Sequence, residues 1–509
     1  MFSKLYSIAL EGIDATTVEV ESHIEGGLFY FAIVGLAGQS VKEAKDRVSA
    51  AMKNSGLFFP RKNLTVNLAP ADIRKEGSAF DLPIAVGLLA ATGQIQNDHL
   101  TDYVFMGELA LEGRLRPVKG VLPSALASRN LKNKRMIVPS VNAAEAAIAE
   151  GLPIYGMDNL REIVDFLNGE IDVEPVTVDI QKLFNDNREY EIDFKEVKGQ
   201  QRAKRAIEIA AAGNHNVLMM GPPGSGKTML ARRIPTILPP PTLEESLETT
   251  QIHSVAGSLP NGTALMATRP FRSPHHTISD AGLIGGGTIP TPGEVSLAHR
   301  GVLFLDELPE FRKSTLESLR QPLEDGEVTI ARVAATTRFP ARFLMVAAMN
   351  PTPGRYHGND LIENVSAAKM KAYRSRISGP LLDRIDLHVS VPAVKAEELT
   401  LRDEGEPSSE IRKRVIGARN IQLDRFKKSG IFANGEMSTK HLREIARITE
   451  GAEKALSLAI SRLGLSARAH GRALKVARTI ADLADRPDVI ESDILEAISF
   501  RELDREGGL

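Results

Sequence analysis

The chain has 509 residues, 42% hydrophobic and 25% charged, with a formal net charge of −2 and no cysteine. A chain this long exceeds one ordinary core, so two to four domains are expected. The near-zero charge excludes a globally basic nucleic-acid binder and leaves only local basic patches. The missing cysteines exclude disulfide-linked partners and Cys-ligated zinc.

The opening stretch, MFSKLYSIALEGIDA, meets Glu11 before a long apolar core develops, so a signal peptide is not expected. Residues 1–170 alternate strand-like and helical runs. FYFAIVGL precedes the helical SVKEAKDRVSAAMKNSG, and LTVNLAP precedes FDLPIAVGLLAATG, a mixed α/β pattern. The apolar run after Asp81 is too short to span a bilayer, so a cytoplasmic chain without membrane association is expected. Residues 171–195 are acidic, polar and weakly periodic, and read as a linker. Residues 196–395 hold three apolar runs, NVLMM (216–220), GVLFL (301–305) and RFLMVAAM (342–349). Such runs suit strands buried on both faces of a parallel sheet. From about residue 396 to 509 the pattern is helical. SSEIRKRVIGARNIQLDRFKKSG offers serine N-caps and Gly430 as a C-cap. Ser466 offers a cap for the next helix, where Leu474, Ala477, Ala481 and Ala484 form an apolar face.

The stretch NVLMMGPPGSGKTMLARRI (216–234) places a glycine-rich turn between a strand and a helix. Gly221, Gly226, Lys227 and Thr228 fit G-x-x-x-x-G-K-[ST], with Pro222, Pro223, Gly224 and Ser225 between the two glycines. Glycines let backbone N–H groups turn inward around phosphate oxygens. Lys227 would reach the β/γ-phosphates, and the Thr228 hydroxyl would ligate Mg²⁺. GVLFLDE then ends a buried strand in Asp306 and Glu307, delivering two carboxylates to the sheet edge where open α/β sheets bind ligands. Asp306 would hold Mg²⁺ and Glu307 would polarise the attacking water. Asn350 ends the third strand and either forms a turn before Pro351 or orients water near the γ-phosphate.

Together these elements resemble the AAA+ ATPases. RPFRSPHHTISDAGLIGGGTIPTPGEVSLAHRGVLFLDELPEF (269–311) and RISGPLLDRIDLHV (376–389) resemble the magnesium-chelatase-like AAA+ family called YifB or ComM, over essentially the whole chain. The resemblance implies an N-terminal Lon-protease-like α/β domain (1–170), a linker (171–195), a parallel-sheet core (196–395) and a C-terminal helical lid (396–509). It implies ATP and Mg²⁺ as cofactors. It also implies an insertion between Lys227 and Asp306, looped at Gly285–Gly287 with Pro290 and Pro292. A further hairpin is implied at 328–343, with Arg332 and Arg338 near its tip. Arg384, in LLDRID, matches an arginine finger acting on the next subunit, or forms a local ion pair with Asp383 or Asp386. Arg468 matches the lid arginine, with Arg472 as its rival. The Lon-type serine and lysine positions fall on Ala79 and Leu122, so peptidase activity is not expected; neighbouring Ser78 would face elsewhere. Family members often carry a cysteine cluster after the sensor asparagine, and NPTPGRYHGND has none. His275–His276 read as structural groups rather than metal ligands.

The family further implies a homo-hexamer acting as a branch-migration helicase on duplex or branched DNA in natural transformation. Local basic clusters are compatible with DNA: Arg412–Arg414, Arg425, Lys427 and Lys428, and the hairpin arginines. A solvated helix face explains the helix cluster equally well. A metal-chelatase ATPase subunit, an ATP-dependent protease and a non-enzymatic binding module are the other readings.

Overall fold

The computed structural model describes residues 1–96, 98–131, 134–186, 190–260, 262–331, 336–353, 356–357, 360–361, 366–393, 405–427, 431–445, 447–463 and 467–501. Its N-terminal part is built on long alternating strands. β1 (Phe2–Glu11) and β2 (Asp14–Glu25) form an antiparallel hairpin, with Glu11 paired to Asp14 across Gly12 and Ile13. Gly12 takes φ +68°, a left-handed turn conformation that glycine adopts without strain. β3 (Tyr30–Val34), β4 (Asn63–Ala69), β5 (Tyr103–Phe105), β6 (Arg135–Pro139) and β7 (Ile154–Met157) complete a seven-stranded sheet of order β3-β4-β2-β1-β5-β6-β7.

Helices α1 (Ala44–Asn54) and α2 (Asp81–Ala91) cover the face on which Val18, Val20, Leu64, Val66 and Leu68 are buried. α2 is buried along almost its whole length, which is why its sequence shows no polar stripe. Its one charge, Asp81, receives both Nε (2.7 Å) and Nη2 (2.8 Å) of Arg47 from α1. Helix α3 (Val121–Arg129) lies further along the chain. The segment expected to be a bare linker contains α4 (Ile180–Asp186). Ile180 and Phe184, four residues apart on one helix face, are buried with Leu122, Ile148 and Leu265.

The second part is a five-stranded, wholly parallel sheet. Its strands are β8 (Val217–Met220), β9 (Phe271–Arg272), β10 (Val302–Leu305), β13 (Leu344–Met349) and β14 (Leu387–Ser390), in the order β9-β10-β13-β8-β14. The three apolar runs of the sequence are therefore neighbours, β10-β13-β8. Every residue of β10 and β13 is buried, as strands covered on both faces require. Helices α5 (Gln201–Gly213), α6 (Lys227–Ile237) and α7 (Leu243–Ala256) follow the chain around this sheet. Thr242 begins α7 with a reciprocal capping box to Glu245. β11 (Glu327–Ala331) and β12 (Thr336–Pro340) form the antiparallel hairpin expected within 328–343. Gly285–Gly286 pair with Thr291–Pro292 in a short ribbon, at the loop expected within the insertion.

The last part is helical: α8 (Ser408–Phe426), α9 (Glu450–Leu463), α10 (Ala467–Leu483) and α11 (Glu491–Ser499). The serines do not cap α8. Pro407 occupies the N-cap, and the Ser408 hydroxyl is buried, accepting from Phe194 N at 2.8 Å and bonding the Thr236 hydroxyl at 2.8 Å. Lys428, Gly430 and Ser466 lie outside the described residues. On α10, Leu474, Ala477 and Ala481 are buried, whereas Ala484 is exposed beyond the helix end. Among the described residues no helix is long and apolar enough to cross a membrane.

Candidate functional site

The loop Gly221–Gly226 leaves the C-terminal end of β8, which lies between β13 and β14 in the parallel sheet. Its first residue is fixed by backbone pairing: Gly221 N donates to Met349 O at 3.2 Å. A Cβ on Gly221 would collide with Val391 O, so only glycine passes there. Pro222 and Ser225 are buried, while Pro223 and Gly224 are exposed. Gly224 and Gly226 take φ +77° and +90°, turning the loop into α6 at Lys227.

Lys227 is buried with its ammonium at the centre of this loop. It donates to Gly221 O (2.6 Å), Pro222 O (2.9 Å) and Asn350 Oδ1 (3.3 Å). Burial pushes its pKa below the ordinary lysine value, with Asp306 and Glu307 pulling the other way. Thr228 Oγ1 donates to Asp306 Oδ2 at 2.8 Å, and Asp306 Oδ1 accepts from Glu307 N at 3.0 Å. Glu307 takes φ +52°, an uncommon backbone for a non-glycine residue. Its carboxylate lies 3.3 Å from His276 Nδ1. The structure thus brings Lys227, Thr228, Asp306, Glu307 and Asn350 to one edge of the sheet.

These residues suit a nucleotide with Mg²⁺. A buried cation sits inside a glycine-bent loop, and the hydroxyl–carboxylate pair beside it is a hard-oxygen donor set of the kind Mg²⁺ takes.

Arg384 is placed elsewhere, and its partner differs from either one expected. Its guanidinium pairs with Glu324 and donates to Pro380 O at 2.7 Å. Asn216 Nδ2 holds the Arg384 carbonyl at 2.9 Å, tying this segment to the start of β8. Arg468 lies on α10, but its side chain is outside the described residues. Arg472 donates to Ile385 O at 3.2 Å and lies 3.9 Å from Asp386, so it ties the lid to the Arg384 segment. Asp386 also lies 3.2 Å from His215 Nδ1, and His215 Nε2 meets the Thr479 hydroxyl at 2.8 Å. Burial raises the Asp386 pKa, but His215 and neighbouring cations outweigh it and hold the carboxyl at about 2. The sequence reading missed this seam between core and lid. It also missed Glu324 and the contact of His276 with Glu307.

The basic helix cluster is spent internally: Arg412 on Thr236 O (2.6 Å), Arg414 on Glu208 and Glu406, and Arg425 on Asp482. Lys427 pairs with Asp424 at 2.8 Å. Arg338 is 70% exposed, 3.9 Å from Glu327; Arg332 lies outside the described residues. His275 and His276 stack at 4.1 Å, and among the described residues no group of three metal-ligating side chains occurs. In the N-terminal part Ala79 is half-buried, Leu122 is fully buried, and the Ser78 hydroxyl donates to Glu108.

A parallel sheet of this order, carrying a phosphate loop and a strand-end carboxylate pair and followed by a helical region, defines a P-loop protein of the AAA+ class. Family models agree. Residues 193–399 match "Magnesium chelatase, subunit ChlI", residues 20–142 match "Subunit ChlI of Mg-chelatase", and residues 405–501 match the ChlI C-terminal model. The chain is 44% identical to the competence protein ComM of Haemophilus influenzae over 98% of this chain and 97% of that one. It is 42% identical to the YifB protein of Escherichia coli over 99% and 97%. A shorter stretch, 26% of each chain, is 34% identical to Lon protease 2 of Bacillus subtilis. The chain belongs to the YifB/ComM family of magnesium-chelatase-like AAA+ proteins, with a Lon-like α/β part ahead of the P-loop core.

Proposed function

We propose that this chain hydrolyses ATP with Mg²⁺ in a ring of identical copies, expected to be a hexamer, and uses the energy to drive branch migration of DNA. The observation that carries the proposal is the convergence of Lys227, Thr228, Asp306, Glu307 and Asn350 on one sheet edge. In that arrangement Gly221–Thr228 would bind the phosphates, and Thr228 and Asp306 would hold Mg²⁺. The metal would supply charge neutralisation for the transferred phosphoryl group. Glu307 would orient and deprotonate water, and Asn350 would steady that water. Arg384, which pairs with Glu324 rather than with its own phosphate loop, would complete the neighbouring copy's site. Arg468 would close the lid over the nucleotide. The relative named a competence protein supports a role with incoming DNA, and the exposed Arg338 offers a phosphate contact.

The test is ATP turnover by the purified chain alone and with single-stranded, duplex or branched DNA. Turnover that depends on Lys227 and rises with branched or duplex DNA is expected. Turnover indifferent to every DNA would turn the proposal toward a protein or chelatase-type partner. No Lys227-dependent turnover would overturn it altogether.

A further inference from the structure

Among the described residues the Lon-like part touches the P-loop core at two separate places, and the proposed chemistry uses neither. One is the Gly12–Ile13 turn between β1 and β2, which sits on the β11–β12 hairpin. A Cβ at Gly12 would lie 2.6 Å from Thr337 Cγ2 and 3.3 Å from Arg338 O, so the close approach depends on glycine. Ile13 packs against the apolar cluster that includes Val328, Ile330 and Phe339 of that hairpin.

The other is the face around Leu122. There Leu122 and Ile148 share a buried cluster with Leu265 of the core, and Leu243 and Leu247 of α7 pack against it. Polar contacts fix the register. Gly120 N donates to Ser254 O at 3.0 Å, and the Ser254 hydroxyl donates to the buried Glu145, which also accepts from Leu122 N at 3.0 Å. The position where a Lon-type peptidase would carry its lysine is therefore a leucine sealed inside an intramolecular seam.

The two places lead to different halves of the site. α7 follows the phosphate-loop helix α6 through Pro239, Pro240 and Pro241, a stiff connection. The β11–β12 hairpin runs into β13, whose last residue, Met349, precedes Asn350. A rigid body joined to both restricts how one moves against the other.

We propose that the Lon-like part is a two-point clamp that ties α7 to the β11–β12 hairpin, so that the hairpin shifts against the phosphate-loop helix only when the Gly12–Ile13 turn shifts or releases it. The proposal does not depend on which substrate the motor takes.

Amide hydrogen exchange on the full-length chain tests it, with peptides covering 327–331 and 336–340 as the readout. Ile13→Asp should speed hairpin exchange by about tenfold or more, because local opening sets the rate. The decisive variant is Leu265→Asp, which loosens the far seam and touches no hairpin residue. A clamp requires that it too speeds hairpin exchange, with the double variant little faster than either single one. If Leu265→Asp gives no folded chain, judged by protection of α5 and β8, Leu122→Ala replaces it. Hairpin exchange unchanged by the far-seam variant would reduce the turn to local packing and overturn the clamp. So would unchanged exchange in Ile13→Asp. Gly12→Ala adds a cycle with Thr337→Ser, which deletes the methyl that the new Cβ meets. Non-additive exchange rates support the contact; strictly additive ones count against it. These comparisons need no ATP turnover, so an inactive chain would sink the proposed function and leave the clamp readable.

Discussion

Lys227 is a buried cation held by carbonyl oxygens of its own loop, and this fixes what its loss should do. Lys227→Ala removes the charge that phosphate oxygens would meet, so nucleotide binding, followed by titration with a fluorescent ATP analogue, should be lost. Glu307→Gln keeps size and hydrogen bonding but cannot take a proton. It should bind nucleotide normally and turn over about 10²–10⁴-fold more slowly, the usual range for a lost general base. Normal turnover in that variant would remove Glu307 from its role. The lysine also sets a pH dependence. Its charged form would bind phosphate, and burial lowers its pKa, so affinity should be full below the lowered value and fall as pH rises through it. Titrations at increasing pH should therefore show affinity declining earlier than an ordinary lysine of about 10.4 would allow. A decline only at the ordinary value would show that burial does not perturb this group.

The elements were legible where local pattern matched final environment. β10 and β13 read as buried strands because both faces are in fact covered, and α6 was marked by the lysine that begins it. α4 was misread because seven residues give too short a stretch for helical periodicity, and its burial comes from distant partners. The serines that open α8 read as caps in the sequence, but tertiary contacts with Phe194 and Thr236 claim Ser408. Arg384's partner could not be read locally, since Glu324 lies 60 positions away and reaches it only through the fold. The helix arginines illustrate the same limit: sequence shows their charge, and only packing shows that Arg414 and Arg425 meet carboxylates while Arg412 meets a backbone carbonyl. The Lon-like element yields its own prediction. With Ala79 and Leu122 at the dyad positions, and Ser78 held by Glu108, casein should survive incubation with the chain and ATP. Cleavage abolished by Ser78→Ala would reverse that expectation.

At the scale of the whole molecule, the arrangement of Arg384 suggests sites shared between copies. Its contacts are Pro380 and Glu324, not the residues of its own phosphate loop. Arg384→Ala should bind ATP and scarcely turn it over. Mixing it with Glu307→Gln should restore part of the rate, because some interfaces then carry both intact groups. Persistent inactivity while labelled copies demonstrably exchange would argue for a site complete within one chain. The proposed DNA substrate is tested through charge. A net charge of −2 gives no broad attraction for DNA, and on α8 Arg414 and Arg425 are paired with carboxylates of the same chain. On the proposed reading, affinity would come from a few exposed cations repeated across the copies, and Arg338 is the arginine on the described part of the hairpin. Each phosphate contact releases counterions, so log affinity should fall by about 0.9 per contact for each unit of log salt on duplex DNA. Such contacts carry little base information, and sequence preference should be weak. Arg338→Ala should flatten the salt slope and remove the rise in turnover with branched DNA while leaving basal turnover intact. Fluorescence anisotropy between about 50 and 200 mM salt measures the slope. A slope unchanged by Arg338→Ala would move the DNA contacts off this hairpin, and no binding at the lowest salt by the ATP-loaded protein would end the DNA reading.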